Sequence, residues 1–470
     1  MEKRSTVLFF TNAELSQSAV NLATAAELAR DTGYGVHFAT FGALGKDVIP
    51  QGVTYHVVPG RAIKEIALSK GLEFMPRHPP GVQGALQAYD EAMVFVMAPH
   101  DDEAEYFAVF DHCVDLIKKL NPALVVSDPL FNAGVDAARF LHKRHVILSP
   151  GSFKDHCLHL QSNLQFAWKW PVVCSGFPTP LPLSYIPSNV YLLYQLIRRS
   201  YFNPRVVSLV KARAARGIPG NLPAKYNFID PAVLYLVPSV RETEFPLAYI
   251  PPNLVGCGPL LPPFVPLALA DPELARWLRT RPTVIVNMGS HLTYGAQQAG
   301  EVLAALEQFA ARHPDKQVLW KYPHASLPNA GKGPARVRLL AWLPSTPVAC
   351  LTASAAAGGA PALAYVHHGG ANSFNEAVAA AVPQVVCPVW TDTYDFAARV
   401  EHMGVGVRGN AAHAPNVRAE ELAAALDRVA GDSPEAMGFR EQARALAKVV
   451  GGPETGRKIA VEQIRKFMAS

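Results

Sequence analysis

The chain has 470 residues, of which 50% are hydrophobic and 17% charged, a composition that predicts two or three domains with large buried cores and excludes a disordered chain. Its net charge of +5 is spread along the chain, which excludes the clustered basic surface of a nucleic-acid-binding protein but suits a small anionic ligand. The six cysteines form no CxxC pair, so we expect free thiols in a reducing compartment.

The first 150 residues alternate short apolar runs with helical patterns. The runs predicted to be strands are TVLFFT, GVHFAT, VTYHVV, ALVVSD and HVILSP. Helices are predicted at SAVNLATAAELARDTG, over about residues 85–120 and at NAGVDAARFLHK. Such alternation is typical of a parallel sheet covered by helices on both faces. The N-terminal apolar run is too short for a secretion signal, so we expect a cytoplasmic protein.

The middle of the chain interrupts this alternation. Residues 151–230 are rich in proline and aromatic residues, which predicts a variable apolar wall with a helix near 187–214. AVLYLVPS then resumes the sheet. The stretch 241–270 is so rich in proline that we interpret it as a stiff linker between domains.

A second alternating block follows the linker. Its predicted strands are TVIVNMGS, QVLWKY, VRLLAW, LAYVHH and QVVCPVW. Its predicted helices are AGEVLAALEQFAARHPD, NSFNEAVAAA, DFAARVEHMG and the stretches near 418–430, 434–450 and 454–469. The predicted α/β architecture has two doubly wound, Rossmann-like parallel-sheet domains facing across a cleft. They are an N-terminal domain (1–240) and a second domain (271–453), with a C-terminal helix (454–470) packing back on the first.

The stretch AYVHHGGANSFNEAVAAA predicts an anion site where a buried strand turns into a helix. Gly370 and the glycine before it leave backbone N–H groups accessible, and Asn372 and Ser373 are typical helix-capping residues. A diphosphate is a common ligand of such a helix N-terminus, and His368 adds a hydrogen-bond donor. Glu376, one turn further on, suits a vicinal diol such as ribose. The alternative is an ordinary strand–turn–helix connection with glycine at the turn.

Residues at the ends of neighbouring predicted strands favour the ligand interpretation. Trp342 can stack on a nucleobase, and Ser290 can donate a hydrogen bond to a phosphate. PVWTDTYDF ends another strand with Trp390, Asp392 and Asp395, where a carboxylate can bind sugar hydroxyls. Together these positions predict a nucleotide-sugar site.

These motifs resemble the signature of the UDP-glycosyltransferases of glycosyltransferase family 1, which have the GT-B fold. The family pattern has Trp-x-Pro, His-x-Gly-x-Asn-Ser-x-x-Glu, Gly-Val-Pro and Pro-x-x-x-Asp. It occurs here as Trp342-Leu-Pro344, His368-Gly-Gly370-Ala-Asn372-Ser373-Phe-Asn-Glu376, Val382-Pro383 and Pro388 to Asp392. The domain order fits over essentially the whole chain. The sequences HHGGANSFNEAVAAAVPQVV and TNAELSQSAVNLATAAEL are most similar to the filamentous-fungal branch.

The resemblance implies that a UDP-sugar binds as co-substrate, without a metal or other cofactor. It implies these donor-binding residues: Ser290, Trp342, His368, Gly370, Asn372, Ser373, Glu376, Trp390, Asp392 and Thr393. The indole of Trp342 would stack on uracil, Glu376 would bind ribose, and Asp392 would bind the sugar. Thr393 stands where many relatives have Gln, which weakens the case for glucose. His367 is expected to be structural.

The family's usual proton acceptor is missing. Relatives carry a histidine where the first helix begins, but TNAELSQSAV contains none, and the first histidine is His37. Three alternatives remain for the base: Asp128, which ends the strand ALVVSD, Glu14, or an acceptor acidic enough to need little help; of these we favour Asp128. Asp128 could instead be a helix cap, and Glu14 an exposed carboxylate in a first helical turn.

The expected reaction is an inverting transfer of a hexose, with glucose as the first choice, to a hydroxyl of an apolar small molecule. A phenol, polyketide or terpenoid would suit the aromatic residues of the middle segment, which could equally be core: Phe153, Phe166, Trp168, Trp170, Phe177 and Tyr185. We expect neither nucleic-acid binding nor stable insertion into a membrane.

Two rival functions come from other classes. PHDDE, which contains His100 and Glu103, is similar to the His-Pro-Asp-Asp motif of zinc-dependent deacetylases, but it lacks the intervening proline, and an acidic helix start is the better interpretation. The missing histidine also allows a non-catalytic or degenerate UDP-sugar-binding protein.

Overall fold

The computed structural model describes residues 4–100, 102–225, 229–322, 336–353 and 362–470. Its first sheet is entirely parallel and has the strand order β3-β2-β1-β4-β5-β6-β7. The strands are β1 (Ser5–Phe10), β2 (Tyr34–Phe41), β3 (Val53–Val58), β4 (Leu124–Ser127), β5 (His145–Leu148), β6 (Leu234–Val237) and β7 (Leu254–Gly256). The predicted strands of the first domain are thereby confirmed.

Helices cover both faces of this sheet. They are α1 (Leu15–Leu28), α2 (Ile63–Ser69), α3 (Val82–Ala88), α4 (Val94–Met97), α5 (Glu103–Leu120), α6 (Asn132–Phe140), α7 (Phe153–Cys157), α8 (Gln165–Trp168), α9 (Ile186–Leu196) and α10 (Pro204–Ala215). The central strands are buried over most of their length, because each is covered on both sides.

Two long helices predicted for this domain are in fact interrupted. The pattern over 85–120 is divided into α3, a π-helical turn (Tyr89–Met93), α4 and α5. The break before α5 contains Pro99, which has no N–H to continue a helix, and Asp102 then caps α5 by accepting a hydrogen bond from the N–H of Glu105. The pattern over 187–214 is similarly divided into α9, a π-helical turn (Ile197–Tyr201) and α10, which begins at Pro204.

The predicted linker over 241–270 is partly wrong. Its residues 254–256 form β7, which pairs in parallel with β6 and completes the first sheet. Proline is compatible with an edge strand, and this stretch therefore belongs in part to the first domain.

The second sheet is also parallel and has the order β10-β9-β8-β11-β12-β13. Its strands are β8 (Thr283–Asn287), β9 (Gln317–Lys321), β10 (Val337–Leu340), β11 (Ala364–His367), β12 (Gln384–Val386) and β13 (Gly406–Arg408). Its helices are α11 (Leu267–Ala270), α12 (Pro272–Leu278), α13 (Ala296–Arg312), α14 (Pro347–Thr352), α15 (Ala371–Ala379), α16 (Thr393–His402), α17 (Ala419–Ala430) and α18 (Pro434–Val450). The short elements α11, α12, α14 and β13 were not predicted.

The last helix, α19 (Thr455–Ala469), returns to the first domain. Ala460, Val461 and Ile464 are buried within the first domain's hydrophobic core. Arg457 is also buried and forms an ion pair with Glu27 of α1 at 3.1 Å.

The six cysteines are buried free thiols. Within the described ranges, no helix is both long and apolar enough to cross a membrane.

Candidate active site

The carboxyl edge of the second sheet gathers most of the predicted donor-binding residues. Because its strands are parallel, the segments that follow them meet at one edge. The strand order places Trp342 after β10, Lys321 at the end of β9, Ser290 after β8, His368 after β11 and Trp390 after β12. From one side to the other this is an indole, a cation, a hydroxyl, an imidazole and a second indole.

Two glycines make room for the His368 ring. A Cβ atom at Gly289 would lie 2.6 Å from Cε1 of His368, and one at Gly370 would lie 2.6 Å from its Nε2. Gly289 also has φ of +81°, a conformation that side chains rarely adopt. The ring of Trp390 lies 5.5 Å away, centre to centre. Any larger residue at either glycine would displace the imidazole from this position.

His368 is uncharged over the physiological pH range. Burial lowers its pKa to about 3, and the neighbouring His367, His291 and Lys321 act in the same direction. Its Nδ1 is buried and has no hydrogen-bond partner within the structure. A neutral imidazole can still donate one N–H to an anion.

His367 has a structural role, as predicted. Its Nδ1 accepts a hydrogen bond from the N–H of Gly369 at 3.0 Å, and its Nε2 lies 2.9 Å from Oε1 of Gln384. These two contacts fix the turn that presents His368.

The N-terminus of α15 differs from the predicted capping arrangement. Gly370 is the N-cap residue, and no side chain caps the helix. The prediction that Asn372 and Ser373 are caps is therefore wrong, because both lie inside the first turn. Asn372 donates instead to the backbone carbonyl of Leu15 in the first domain at 3.2 Å. The first N–H groups of α15 can thus serve an anion, as at other uncapped helix N-termini.

Glu376 lies near Lys321, whose ammonium group contacts the ring of Trp342. Burial raises the pKa of Glu376 to about 8, while Tyr365 and Lys321 oppose this shift. Nζ of Lys321 donates to the carbonyl of Gly289 at 3.0 Å and lies 4.0 Å from the centre of the Trp342 ring. The indole itself is 62% exposed. Sequence reasoning missed Lys321, although a lysine that ends an apolar strand pattern was a usable signal.

The segment after β12 is held by its own polar groups. Oγ1 of Thr393 accepts hydrogen bonds from the N–H groups of Val389 and Trp390 at 3.1 and 3.0 Å, so this predicted donor-binding hydroxyl is used within the loop. Asp392 is half-buried, and burial raises its pKa to about 6. Asp395 forms a buried ion pair at 2.7 Å with Lys154 of the first domain, and it therefore stabilises the contact between domains.

Glu14 is buried at the start of α1, so the alternative of an exposed carboxylate is wrong. Its Oε1 accepts a hydrogen bond from the N–H of Lys64 at 2.8 Å, whereas its Oε2 is buried without a partner. Burial raises the pKa of this carboxyl group. The next residue, Leu15, presents an apolar side chain that is 42% exposed.

Asp128, which directly follows β4, is completely buried. It accepts hydrogen bonds from the N–H of Leu130 at 2.9 Å and from the hydroxyl of Thr11 at 3.4 Å. It does not cap α6, whose N-cap residue is Phe131. Burial raises the pKa of Asp128 to about 7, with smaller opposing effects of Leu130, Asn12 and Thr11. Both oxygens are therefore engaged in holding the ends of β1 and β4 together.

His291, which follows Ser290 directly, was not predicted as a site residue. Its ring lies 5.0 Å from the ring of Phe74 in the first domain. Both ring nitrogens are buried without a hydrogen-bond partner, and burial lowers the pKa to about 4, with Lys64 contributing. A neutral imidazole thus extends from the second domain to the first domain.

The aromatic residues of the middle segment divide between core and surface. Phe153, Trp170 and Phe177 are buried, whereas Trp168 and Tyr185 are exposed by 44% and 38%. At the carboxyl edge of the first sheet, a cavity of about 30 Å³ is lined by residues that include Asn12, Phe41, Arg61, His100 and Leu130.

The structure gives PHDDE an ordinary role. Asp102 caps α5, and His100 lies 3.3 Å from Glu105, while Asp101 is outside the described residues. Among the residues that the structure describes, no three His, Cys, Asp or Glu side chains converge as metal ligands.

Comparison with known proteins agrees with this arrangement. Residues 302–454 match the family model of the C-terminal domain of erythromycin biosynthesis protein CIII-like proteins. Glycosyltransferase sdnJ of Sordaria araneosa is 34% identical over 91% of both chains. The chain belongs to the UDP-glycosyltransferases of glycosyltransferase family 1.

Solved structures place this glycosyltransferase in the GT-B fold. A UDP-glucosyltransferase from Polygonum tinctorium that glucosylates indoxyl superposes with a TM-score of 0.66, at 17% identity, covering 100% of this chain and 99% of that one. Glycosyltransferase VinC in complex with DTDP superposes with a TM-score of 0.64, at 18% identity, covering 99% and 100%. The prediction of two Rossmann-like domains is therefore confirmed.

Proposed function

We propose that this glycosyltransferase transfers a hexose, with inversion, from a UDP-sugar to a hydroxyl group of an apolar small molecule. The order of groups along the carboxyl edge of the second sheet supports this proposal. An exposed indole, the side chains of Lys321 and Glu376, an uncapped helix N-terminus with a neutral imidazole, and Asp392 follow one another. This is the order of base, ribose, diphosphate and sugar in a nucleotide sugar.

Each part of the donor has a matching group. Trp342 stacks on the uracil, for which aromatic stacking contributes about 1–3 kcal/mol. Glu376 accepts hydrogen bonds from the ribose diol, and the N-terminus of α15, Ser290 and His368 bind the diphosphate. Stacking alone does not separate uracil from thymine, and VinC was solved with DTDP, so the choice of UDP rests on the family signature.

The sugar lies between Trp390 and Asp392, which accepts hydrogen bonds from its hydroxyl groups. We propose a hexose, with glucose as the first candidate. Thr393 makes no contact with the sugar in this proposal, because its hydroxyl holds the loop.

The reaction is a displacement at the anomeric carbon. The acceptor oxygen attacks from the face opposite the diphosphate and forms the new C–O bond, while the bond to the diphosphate breaks and UDP leaves with the electron pair. Negative charge grows on the diphosphate, where the N-terminus of α15 and His368 stabilise it. The acceptor proton passes to a base in the first domain.

Glu14 is a better base than Asp128. Both carboxyl groups have raised pKa values, but Asp128 uses both oxygens to hold the β1 and β4 turns, whereas Oε2 of Glu14 has no partner. Glu14 also comes from the α1 N-terminus, which contacts Asn372 of the donor side through the Leu15 carbonyl. We therefore propose Glu14 as the proton acceptor. Asp128 is then a positioning residue, which holds Thr11 in the segment that leads to Glu14.

The acceptor is proposed to be a phenol, polyketide or terpenoid. It would lie against the first domain, near the carboxyl edge of its sheet. The aromatic residues at the surface of the middle segment and the small cavity beside Asn12 and Arg61 favour a flat or apolar molecule.

A transfer assay with UDP-glucose and a graded series of phenols tests this proposal. We expect wild-type transfer, loss of about 10²- to 10⁴-fold in kcat for Glu14→Gln, and a smaller loss for Asp128→Asn. The Glu14→Gln loss should shrink as the phenol becomes more acidic. If Asp128→Asn has the larger effect, Asp128 is the base.

The second candidate is a UDP-sugar-binding protein without catalytic activity. Leu15 favours this second function. It is the first residue of α1, where relatives have the histidine that removes the acceptor proton, and its apolar side chain cannot act as a base. Tight UDP-glucose binding without transfer to any phenol and without hydrolysis would establish this function instead.

A further inference from the structure

An apolar surface runs along the outer face of the segment 183–202. We call it the apolar stripe, and its members are Leu183 (82% exposed), Val190 (47%), Tyr191 (44%), Tyr194 (60%), Ile197 (46%) and Phe202 (69%). Side chains of this size contribute most when removed from water. A row of six such exposed side chains marks an interaction surface rather than isolated surface residues.

Three members of the apolar stripe lie on one face of the amphipathic helix α9. Within α9, Val190, Tyr191 and Tyr194 follow the three- and four-residue spacing that places side chains on one side. The opposite side is covered, since Leu192 and Leu196 are buried in a small core with Ala85 and Tyr89. α8 packs beside α9, and Trp168 of α8 and Leu164 just before it add further exposed side chains.

The segment that carries the stripe has basic residues and no acidic ones, although Asp90 from a neighbouring turn reaches it. From residue 156 to residue 229 the sequence contains no aspartate or glutamate. The same stretch contains Lys169, Arg198, Arg199, Arg205, Lys211, Arg213, Arg216 and Lys225. Some of these are paired with acidic residues elsewhere, as Arg199 is with Asp90, but Arg198 follows Ile197 directly and is exposed.

We propose that the apolar stripe docks on the surface of an anionic lipid bilayer, with α9 lying in the plane of the interface. Basic side chains would meet the anionic headgroups, and the apolar side chains would enter the boundary below them. Tyrosine and tryptophan are favoured at this depth, because one end of the ring is apolar and the other is polar.

The length of α9 allows it to lie on the bilayer surface but not to span the bilayer. α9 has 11 residues, about half the number needed to cross the hydrocarbon layer. A second copy of this chain is a weaker candidate partner, because it would bring the same positive charges to the contact. The proposal does not depend on the reaction assigned above.

Sedimentation with vesicles tests the proposal. The wild-type protein should bind vesicles of phosphatidylcholine containing about 30% phosphatidylserine, bind pure phosphatidylcholine less well, and be released by salt. The variant Tyr194→Glu/Phe202→Glu should reduce binding at least tenfold. Leu269→Glu is the matched control, since Leu269 is 75% exposed on α11, and it should bind like wild type.

Three results would overturn the proposal. They are absence of wild-type binding to the anionic vesicles, equal binding by the stripe variant, and a dimer in light scattering that the stripe variant dissociates. Equal thermal unfolding of the two variants and wild type would show that lost binding does not reflect lost folding.

Discussion

His78 of the first domain accepts a hydrogen bond at Nε2 from the backbone N–H of Thr391 in the second domain, at 2.8 Å. Its Nδ1 lies 3.0 Å from the carbonyl of Pro79, so the neutral ring uses both nitrogens. The backbone carbonyl of His78 also accepts from the hydroxyl of Tyr394 at 2.5 Å. Thr391 has φ of +26°, a conformation that needs such support. The first domain therefore helps to shape the loop that carries Trp390 and Asp392.

We expect His78→Ala to weaken the use of the sugar donor. Removal of the acceptor leaves the Thr391 N–H buried and unpaired, which costs about 1–3 kcal/mol and disturbs the neighbouring Asp392. The KM for UDP-glucose should rise about tenfold or more, with a smaller change in kcat. His159→Ala, at an exposed position, is the control. An unchanged donor KM together with a lower unfolding temperature would give His78 a purely structural role.

The pH dependence of catalysis should report Glu14. A base acts when it is deprotonated, and burial raises its pKa above the ordinary value of 4.5. We therefore expect kcat/KM to fall as the pH falls through this raised value, with a limb that Glu14→Gln removes. The imidazoles of His368 and His291 stay neutral over this range, because their pKa values are about 3 and about 4. A limb that persists in Glu14→Gln would contradict the assignment.

Asp128 should make folding stability depend on pH in the opposite sense to most carboxylates. Its pKa of about 7 in the folded protein exceeds the ordinary 3.8, so its contribution is full below about pH 4 and is lost as the pH rises towards 7. Asp128→Asn should therefore gain stability relative to wild type between these pH values, by at most about 4 kcal/mol.

Urea unfolding of both proteins at a series of pH values measures this difference. Asp111→Asn, whose side chain is 53% exposed in an ion pair with Arg216, is the control and should show no such trend. A stability difference between Asp128→Asn and wild type that does not vary with pH would contradict the raised pKa of the buried Asp128 carboxyl group.

Trp342→Ala should weaken binding of UDP without affecting the fold. The indole is 62% exposed, so the domain does not depend on it for its core, whereas stacking on uracil is worth about 1–3 kcal/mol. Calorimetry should show a Kd for UDP raised about 5- to 150-fold. Trp168→Ala, an exposed indole in the first domain, should leave the Kd unchanged. Equal affinities for all three proteins would remove Trp342 from the donor site.

Much of the fold could be predicted because its signals are local. Valine-rich runs such as TVIVN and AYVH can be buried on both faces only in a covered parallel sheet, and the structure places them there. The interruptions in the long helices coincide with Pro99 and Pro204, local signals that the helical spacing over 85–120 and 187–214 concealed. β7 could not be recognised, because a three-residue edge strand carries little periodicity.

The site was predictable where chemistry and spacing coincide in one segment, as in His368 to Glu376. It was not predictable where a contact joins distant parts of the chain. Nothing near His78 in the sequence indicates that its ring supports Thr391, and nothing near Asn372 indicates that its amide donates to the Leu15 carbonyl of the other domain. Lys154 and Asp395 likewise become partners only when the two domains meet.

The return of α19 to the first domain means that the polypeptide passes between the two lobes twice. The N-terminal lobe is consequently built from two separate stretches of the gene, and Ala460, Val461 and Ile464 belong to its interior. A hybrid enzyme that takes its donor half from one relative and its acceptor half from another should therefore be spliced at two points. A single junction after β7 would give the first lobe the α19 helix of the other relative. A second junction just before Thr455 restores the native ion pair of Arg457 with Glu27.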